Sequence, residues 1–440
     1  MRLKYHRPNS LTIEDVKRLN HIRYTSSRVF VKDPYPLLVC IIRFILKAPY
    51  YAIKRRKYKT DTFLNDILFV VPTLNNLKSV RSIISSLPQE KCRIWDNYWT
   101  NIPYVKIYFH SILYLPLSLK LYFSSTKEDK ELIRFYYLDF FTTCGIYTVL
   151  EGILKQNSQL KLMVFANDHL LINRCLIELA EKLCIKSLYV QHASITELFP
   201  PLRFDYSFLD GAESFLKYEK IGNMRGKIYI TGSPRFDAFS TCDQVNKKYD
   251  IGIALNALDS SEKALELCLY LKKNYTNKII VRPHVSMTTQ QFDKDMFTKH
   301  NIEISDPNKD LSYVFLSDVN YLIANESGIH LDAALMGVPS ILFNFSNKSI
   351  KDAYSFIKNG LVIKCDKYNE VIEKLKMPNH RLDRVVQFYA ASYKSPAEGK
   401  VGKLIANFIK GELKLPFKGR DNILTEVMKD NGSYYEYCYK

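Results

Sequence analysis

The run Asn325-Glu326-Ser327-Gly328-Ile329-His330-Leu331-Asp332-Ala333-Ala334-Leu335-Met336-Gly337-Val338-Pro339 follows an apolar stretch that ends at Ala324. It reads as a strand end, a small polar turn and a helix, with Gly337 suited to a left-handed cap and Pro339 blocking continuation. Free amides near Ser327 and Gly328, aligned with the helix dipole, would favour a phosphate. Asp332, one turn further on, is placed to accept from a sugar hydroxyl. Taken alone, the same residues also describe an ordinary strand-turn-helix capped by serine.

Other strand ends add groups of matching chemistry. Val281-Arg282-Pro283-His284 brings a guanidinium and an imidazole to one sheet edge, a pairing suited to a diphosphate. Ile230-Thr231-Gly232-Ser233-Pro234-Arg235-Phe236-Asp237 offers a turn of backbone donors, with Ser233 and Arg235 beside it. Earlier in the chain, Gln191-His192-Ala193-Ser194 sets His192 just past an apolar run, where a near-neutral imidazole could take a proton from a hydroxyl. A lone histidine is also a common structural donor. Asp168, in Asn167-Asp168-His169, fits three roles: a base, a partner orienting His192, or a helix N-cap.

Such residues converge only if the chain alternates strand and helix, because open parallel sheets bind ligands outside the carboxyl ends of their strands. The alternation is present from Asp66 onward. Strands are expected at Ile67–Val71, Leu160–Phe165, Ser187–Gln191 and Phe204–Leu209, with a helix over Leu170–Leu183. Ile228–Thr231 reads as the opening of a second series. Strands at Ile251–Leu255, Lys278–Arg282, Val319–Ala324 and Ser340–Phe345 follow, with a helix at Ser261–Asn274. The fold class implied is α/β, with two doubly wound Rossmann-like domains facing across a cleft. The expected division is an amino-terminal extension over 1–60, an α/β domain over 61–222, a second over 223–410 and a polar, Tyr-rich tail over 411–440.

The extension is basic and carries no secretory signal. Within it Pro36–Ile53 is amphipathic, carries Arg43 and Lys47, and is followed by Lys54, Arg55, Arg56, Lys57 and Lys59. Two charges and Pro49 spoil a bilayer-spanning segment. The pattern suits a helix lying in an anionic membrane surface, and equally a buried helix capping the first domain. Tyr104–Phe123, with Lys106, His110 and Lys120, either extends that surface or packs in the core.

A net charge of +18 favours anionic partners without specifying them. It is spread over α/β elements and not clustered on a small recognition module, so nucleic acid is not the expected partner. Nine cysteines without a CxxC pair read as reduced thiols of a cytoplasmic protein and not as metal ligands. No DxD-type pair stands at a strand end, so no metal or further cofactor is expected.

Gly232-Ser233-Pro234-Arg235-Phe236-Asp237, Arg282-Pro283-His284 and Glu326-Ser327-Gly328 through Ala333, Gly337 and Pro339 resemble the donor-binding half of GT-B-type glycosyltransferases. The resemblance is to the bacterial capsule and teichoic-acid branch, which includes CDP-glycerol glycerophosphotransferases, and more distantly to UDP-GlcNAc 2-epimerases. The stretch Leu188–Tyr218 is similar to surface-polysaccharide transferases. The resemblance spans about residues 160 to 400. It implies a transferase moving a sugar from a nucleotide-activated donor to a cell-surface polysaccharide or lipid-linked glycan, at the inner face of the membrane. His192 would correspond to the first-domain histidine proposed as base, and His284 to the second-domain histidine facing the donor phosphates. Glu326 departs from the Tyr-Ser-Ser and Ser-Gly-Gly turns of those groups. An acid beside a phosphate is unfavourable there, which weighs against the alternative of CDP-alditol phosphate transfer. An epimerase-like activity on a nucleotide sugar is the other alternative, and a membrane-peripheral scaffold the non-enzymatic one.

Overall fold

The computed structural model describes residues 34–54, 65–95, 102–197, 199–241, 247–288, 291–377, 382–414, 424–429 and 432–437, with single positions 11, 12, 16 and 19. The basic run Arg55–Lys59 and most of the first 33 residues lie outside them.

Two sheets organise the chain. The first contains β1 (Ile67–Val70), β2 (Cys92–Trp95), β3 (Leu162–Phe165), β4 (Lys186–Val190), β5 (Tyr206–Leu209) and β6 (Lys227–Ile230), all parallel, in the spatial order β2-β1-β3-β4-β5-β6. Apart from the edge strand β2, their short apolar runs are buried on both sides because alternate residues face opposite helical layers. Leu68, Val70, Met163, Phe165 and Tyr189 pack under the helices Tyr104–Leu113, Tyr137–Lys155 and Leu171–Lys182. Ile67, Phe69, Leu162, Val164 and Leu188 pack under Leu74–Ser85 and Val401–Glu412.

The second sheet contains β7 (Tyr249–Ala254), β8 (Ile279–Arg282), β9 (Glu303–Ile304), β10 (Val319–Ala324), β11 (Ser340–Phe343) and β12 (Ile363–Cys365), ordered β12-β11-β10-β7-β8-β9 and wholly parallel. Ser261–Asn274 and Tyr368–Leu375 cover one face, while Ser312–Ser317 and Ile329–Leu335 cover the other. In each sheet the strand order reverses once, between β1 and β3 and between β7 and β10. Loops diverge at such a point and leave a crevice.

The expected division of the chain needs correction. Lys227–Ile230, read as the opening of the second series, is the sixth strand of the first sheet and pairs with β5. The chain also returns. Val401, Ile405, Ala406 and Ile409 form an apolar stripe buried against the first sheet. The tail contributes an antiparallel hairpin, β13 (Leu424–Lys429) and β14 (Gly432–Tyr437), whose second strand extends that sheet beside β6. Periodicity shows that a strand or helix has an apolar face, but not which sheet will cover it.

The amphipathic segment forms the helix Leu37–Lys54. Cys40 and Phe44 are buried, with Phe44 packed on Tyr108 and Phe141. One face therefore caps the first unit, as the core-packing alternative required, while the other remains exposed. Among the described residues, no helix is long and apolar enough to cross a membrane. The described cysteines are all free thiols, and Cys40, Cys144, Cys175, Cys268 and Cys365 are buried.

Candidate active site

The second sheet's reversal point is occupied by the turn that opens Asn325–Pro339. Asn325 Nδ2 donates to Asp259 Oδ1 at 2.6 Å, tying the end of β10 to the loop after β7. Buried His330 sets Nε2 3.1 Å from the Asn325 carbonyl, which closes the turn from below. The helix itself is short, Ile329–Leu335, and begins on Gly328. A Cβ built on Gly328 would meet no atom within 4 Å, so that edge faces open space. Gly337 takes the expected left-handed conformation, with φ +64°. The Glu326 carboxylate accepts from the backbone N–H groups of Lys351 and Ala353.

Arg282 and His284 follow β8. The Arg282 guanidinium donates to Ser305 Oγ at 2.8 Å and to the Asp310 carbonyl at 2.7 Å. It braces the loop after β9 with one N–H of each terminal nitrogen. His284 accepts at Nδ1 from the Ser286 N–H, which leaves Nε2 as the nitrogen that carries the proton in the neutral ring.

At the first sheet's reversal point, Asn167 Oδ1 accepts from the N–H groups of His169 and Leu170 and holds the turn, while the helix Leu171–Lys182 starts on Leu170 with no side-chain cap from Asp168. Asp168 is buried; its carboxylate lies 3.3 Å from His169 Nδ1 and accepts from Tyr218 Oη at 3.2 Å. It orients His169, and the His169 ring lies 5.9 Å from that of His192. The link expected between Asp168 and His192 therefore passes through an imidazole that residue type alone did not single out. His192 sits just past β4, and its Nδ1 is buried without a partner. Burial, then His169 and Arg235, push its conjugate acid down to about 3.

The two units meet around Arg235. Its Nη1 lies 3.6 Å from Asp332 Oδ1, which commits Asp332 to a guanidinium and not to an open groove. Asp210, at the end of β5, has its N–H held by Gln191 Oε1 at 2.9 Å and its carbonyl by the Ala391 N–H at 2.8 Å. Its carboxylate is buried beside the Ser233 hydroxyl and Arg235, whose Nε has no hydrogen-bond partner. Burial pushes the Asp210 carboxyl up to about 7, opposed by Arg235 and Ser233 and reinforced by Glu213 and Asp332. Asp332 is raised by burial too, with Arg235 opposing. Sequence reasoning missed Asp210, although an Asp-Gly pair directly after a strand was available as a signal.

Lys217 makes a second bridge between the units. Its Nζ donates to the Ile195 carbonyl at 2.9 Å and to the Ala353 carbonyl at 3.0 Å, and pairs with Glu213. Gly211 permits the close fit beside it, because a Cβ there would lie 2.4 Å from the Phe388 carbonyl oxygen. A hollow of about 300 Å³ lies at the opposite, amino end of the second sheet, near Asp250, Asn320 and Pro339, away from these groups. Among the described residues, no cluster of three His, Cys, Asp or Glu side chains could hold a metal ion.

No protein-family model matches the sequence, and no curated protein matches it. Among solved structures, the chain is similar to a UDP-N-acetylglucosamine 2-epimerase at 12% identity, covering 81% of this chain and 98% of that one, with a TM-score of 0.50. It is similar to S. aureus MnaA, solved with UDP, at 14% identity over 81% and 99% of the two chains, with a TM-score of 0.51. A looser overlay, TM-score 0.45 at 13% identity over 90% and 98%, relates it to the wall teichoic acid polymerase TagF. At these identities the likeness is one of fold, and the chain has the two-domain GT-B-type architecture.

Proposed function

We propose that the chain is a transferase that moves a sugar from a nucleotide-activated donor to a cell-surface polysaccharide or lipid-linked glycan. One observation carries the reading: at the carboxyl ends of two facing parallel sheets, Arg235 lies against Asp332 of the second unit and within electrostatic reach of His192 and Asp210 of the first. Two facing crevices suit a reaction between two substrates, each held by its own half.

In this reading the donor lies against the second unit, its phosphates beside Ser327, the open edge of Gly328 and His284 Nε2. Arg282 holds the neighbouring loop, and Arg235, whose Nε is unpartnered, supplies charge to the departing nucleotide. Contacts of this kind are worth on the order of 2–4 kcal/mol of barrier each. On the acceptor side His192 is neutral and holds a proton weakly, so its unpartnered Nδ1 is free to accept from a substrate hydroxyl. Asp210 has the proton affinity matched to neutral pH, so we assign deprotonation to Asp210, with Arg235 within electrostatic reach of both it and His192. The enzyme would work in the cytoplasm, against the inner, anionic membrane surface.

Thermal-shift screening with UDP, CMP, CDP and GDP compounds tests the donor half, since ligand at about 100 times Kd stabilises by about 2.7 kcal/mol. His192→Ala should abolish transfer to a membrane-derived acceptor and keep the shift. Gly328→Val should remove the shift without unfolding the protein. Conversion of a nucleotide sugar without acceptor would replace the reading with an epimerase, and alditol phosphate transfer from a CDP-alditol would replace the donor class. No shift with any nucleotide would overturn it.

A further inference from the structure

Two helices of the first unit each present a second apolar stripe, on the side away from the core. In Leu37–Lys54 the positions Leu37, Cys40, Ile41 and Phe44 face inward. Leu38, Ile42, Ile45 and Leu46 face solvent, with Leu38 at 68% and Leu46 at 69% exposure. In Tyr104–Leu113 the same phasing recurs: Tyr104, Ile107, Tyr108 and Ser111 are buried. Val105, Phe109, Ile112 and Leu113 are exposed, Val105 at 63% and Leu113 at 57%. The helices pack on each other, with the Phe44 and Tyr108 rings 5.7 Å apart at their shared inner face.

An exposed i, i+4, i+7, i+8 apolar stripe on each of two adjacent helices departs from the polar outer face that a solvent-exposed helix carries. Its charge selects the occupant. Leu37–Lys54, Tyr104–Leu113 and the next helix, Leu115–Ser124, contain no Asp or Glu, but carry Arg43, Lys47, Lys54, Lys106 and Lys120. The Arg43 guanidinium lies 4.4 Å from the ring centre of Tyr35. An apolar face on helices that themselves carry cations and no acid, although the neighbouring Lys127–Phe135 brings Glu128, Asp129 and Glu131, complements a bilayer whose headgroups are anionic, with the side chains entering the acyl boundary and the cations meeting phosphates.

We infer that the outward stripes of Leu37–Lys54 and Tyr104–Leu113 form one docking plane for an anionic lipid bilayer. This deepens the membrane-surface part of the function proposed above and rests on it. Two helices fixed on one core hold the first unit in a defined orientation, which a single flexible basic segment would not do.

The test is sedimentation of the full chain with vesicles of phosphatidylcholine, with and without phosphatidylglycerol. The parent should bind the anionic vesicles. Leu38→Ser/Leu46→Ser and Val105→Ser/Leu113→Ser should each weaken binding about tenfold. Ile363→Ser, which alters an exposed apolar residue of the second unit, should leave binding unchanged. Leu113→Trp keeps the surface apolar, and its fluorescence should be quenched by brominated lipid chains. Unaltered binding by the Val105/Leu113 pair, or an unquenched Leu113→Trp, would overturn the two-helix plane. So would a lipid-free dimer that the serine variants dissociate, since the occupant would then be a second copy. The nucleotide thermal shift is read without vesicles, so its loss would sink the donor reading and leave the sedimentation result standing.

Discussion

Replacing Asp210 with Asn separates the electrostatics of the site from its packing, because the amide has nearly the same shape and never ionises. In the unfolded chain this carboxyl titrates near 3.8, and in the folded protein near 7. Between those values the folded state binds more protons than the unfolded one, so Asp210 lowers stability as pH rises through the window. About three pKa units at 1.36 kcal/mol each put the full cost at roughly 4 kcal/mol once the pH exceeds that upper value. Asp210→Asn should therefore match the parent near pH 4 and exceed its stability by up to about 4 kcal/mol near pH 8, as read by urea unfolding across that range. Transfer should move the other way. The parent rate should climb about tenfold per pH unit below 7 and level off above it, while the variant loses a factor on the order of 10²–10⁴ and that rise. A stability difference independent of pH, or a variant that keeps the parent's pH–rate profile, would refute both the buried ionisation and its use as a base.

Gly211→Ala should destabilise by about 2 kcal/mol or more in denaturant titration, since its methyl group would overlap the Phe388 backbone. His330, pushed down to about 4 by burial, binds its proton more weakly than in the unfolded chain, so stability should fall as pH drops from about 6.5 toward 4. His330→Gln keeps a donor for the Asn325 carbonyl and should flatten that acid limb by about 3 kcal/mol, measured by thermal unfolding against pH. Asp237 accepts from the N–H groups of Val401 and Gly402 and from Ser82 Oγ, pinning the returning helix to the first unit. Asp237→Asn should cost about 2 kcal/mol of unfolding free energy. Transfer should also persist in a metal chelator, which a rate assay checks directly.

Short apolar runs punctuated by Gly, Pro and polar turns were enough to set out the parallel strands and much of the α/β alternation. Ser261–Asn274 and Val319–Ala324 have the bounds that periodicity predicts, because both are local patterns of buried faces and caps. The turns at Asn167–His169 and Asn325–Gly328 were legible for the same reason. What each side chain touches was not. Glu326 reaching Lys351 and Ala353, Arg282 bracing Asp310, and Arg235 lying between the two units depend on backbone segments distant in sequence. The raised affinity of Asp210 arises chiefly from its burial, with Glu213 and Asp332 adding to it and Arg235 opposing. Composition and periodicity show which residues seek cover or charge. Only the assembled sheets, where β6, the returning helix and the tail close over the first unit, decided which partner met that need, because packing is non-directional until topology restricts the choice.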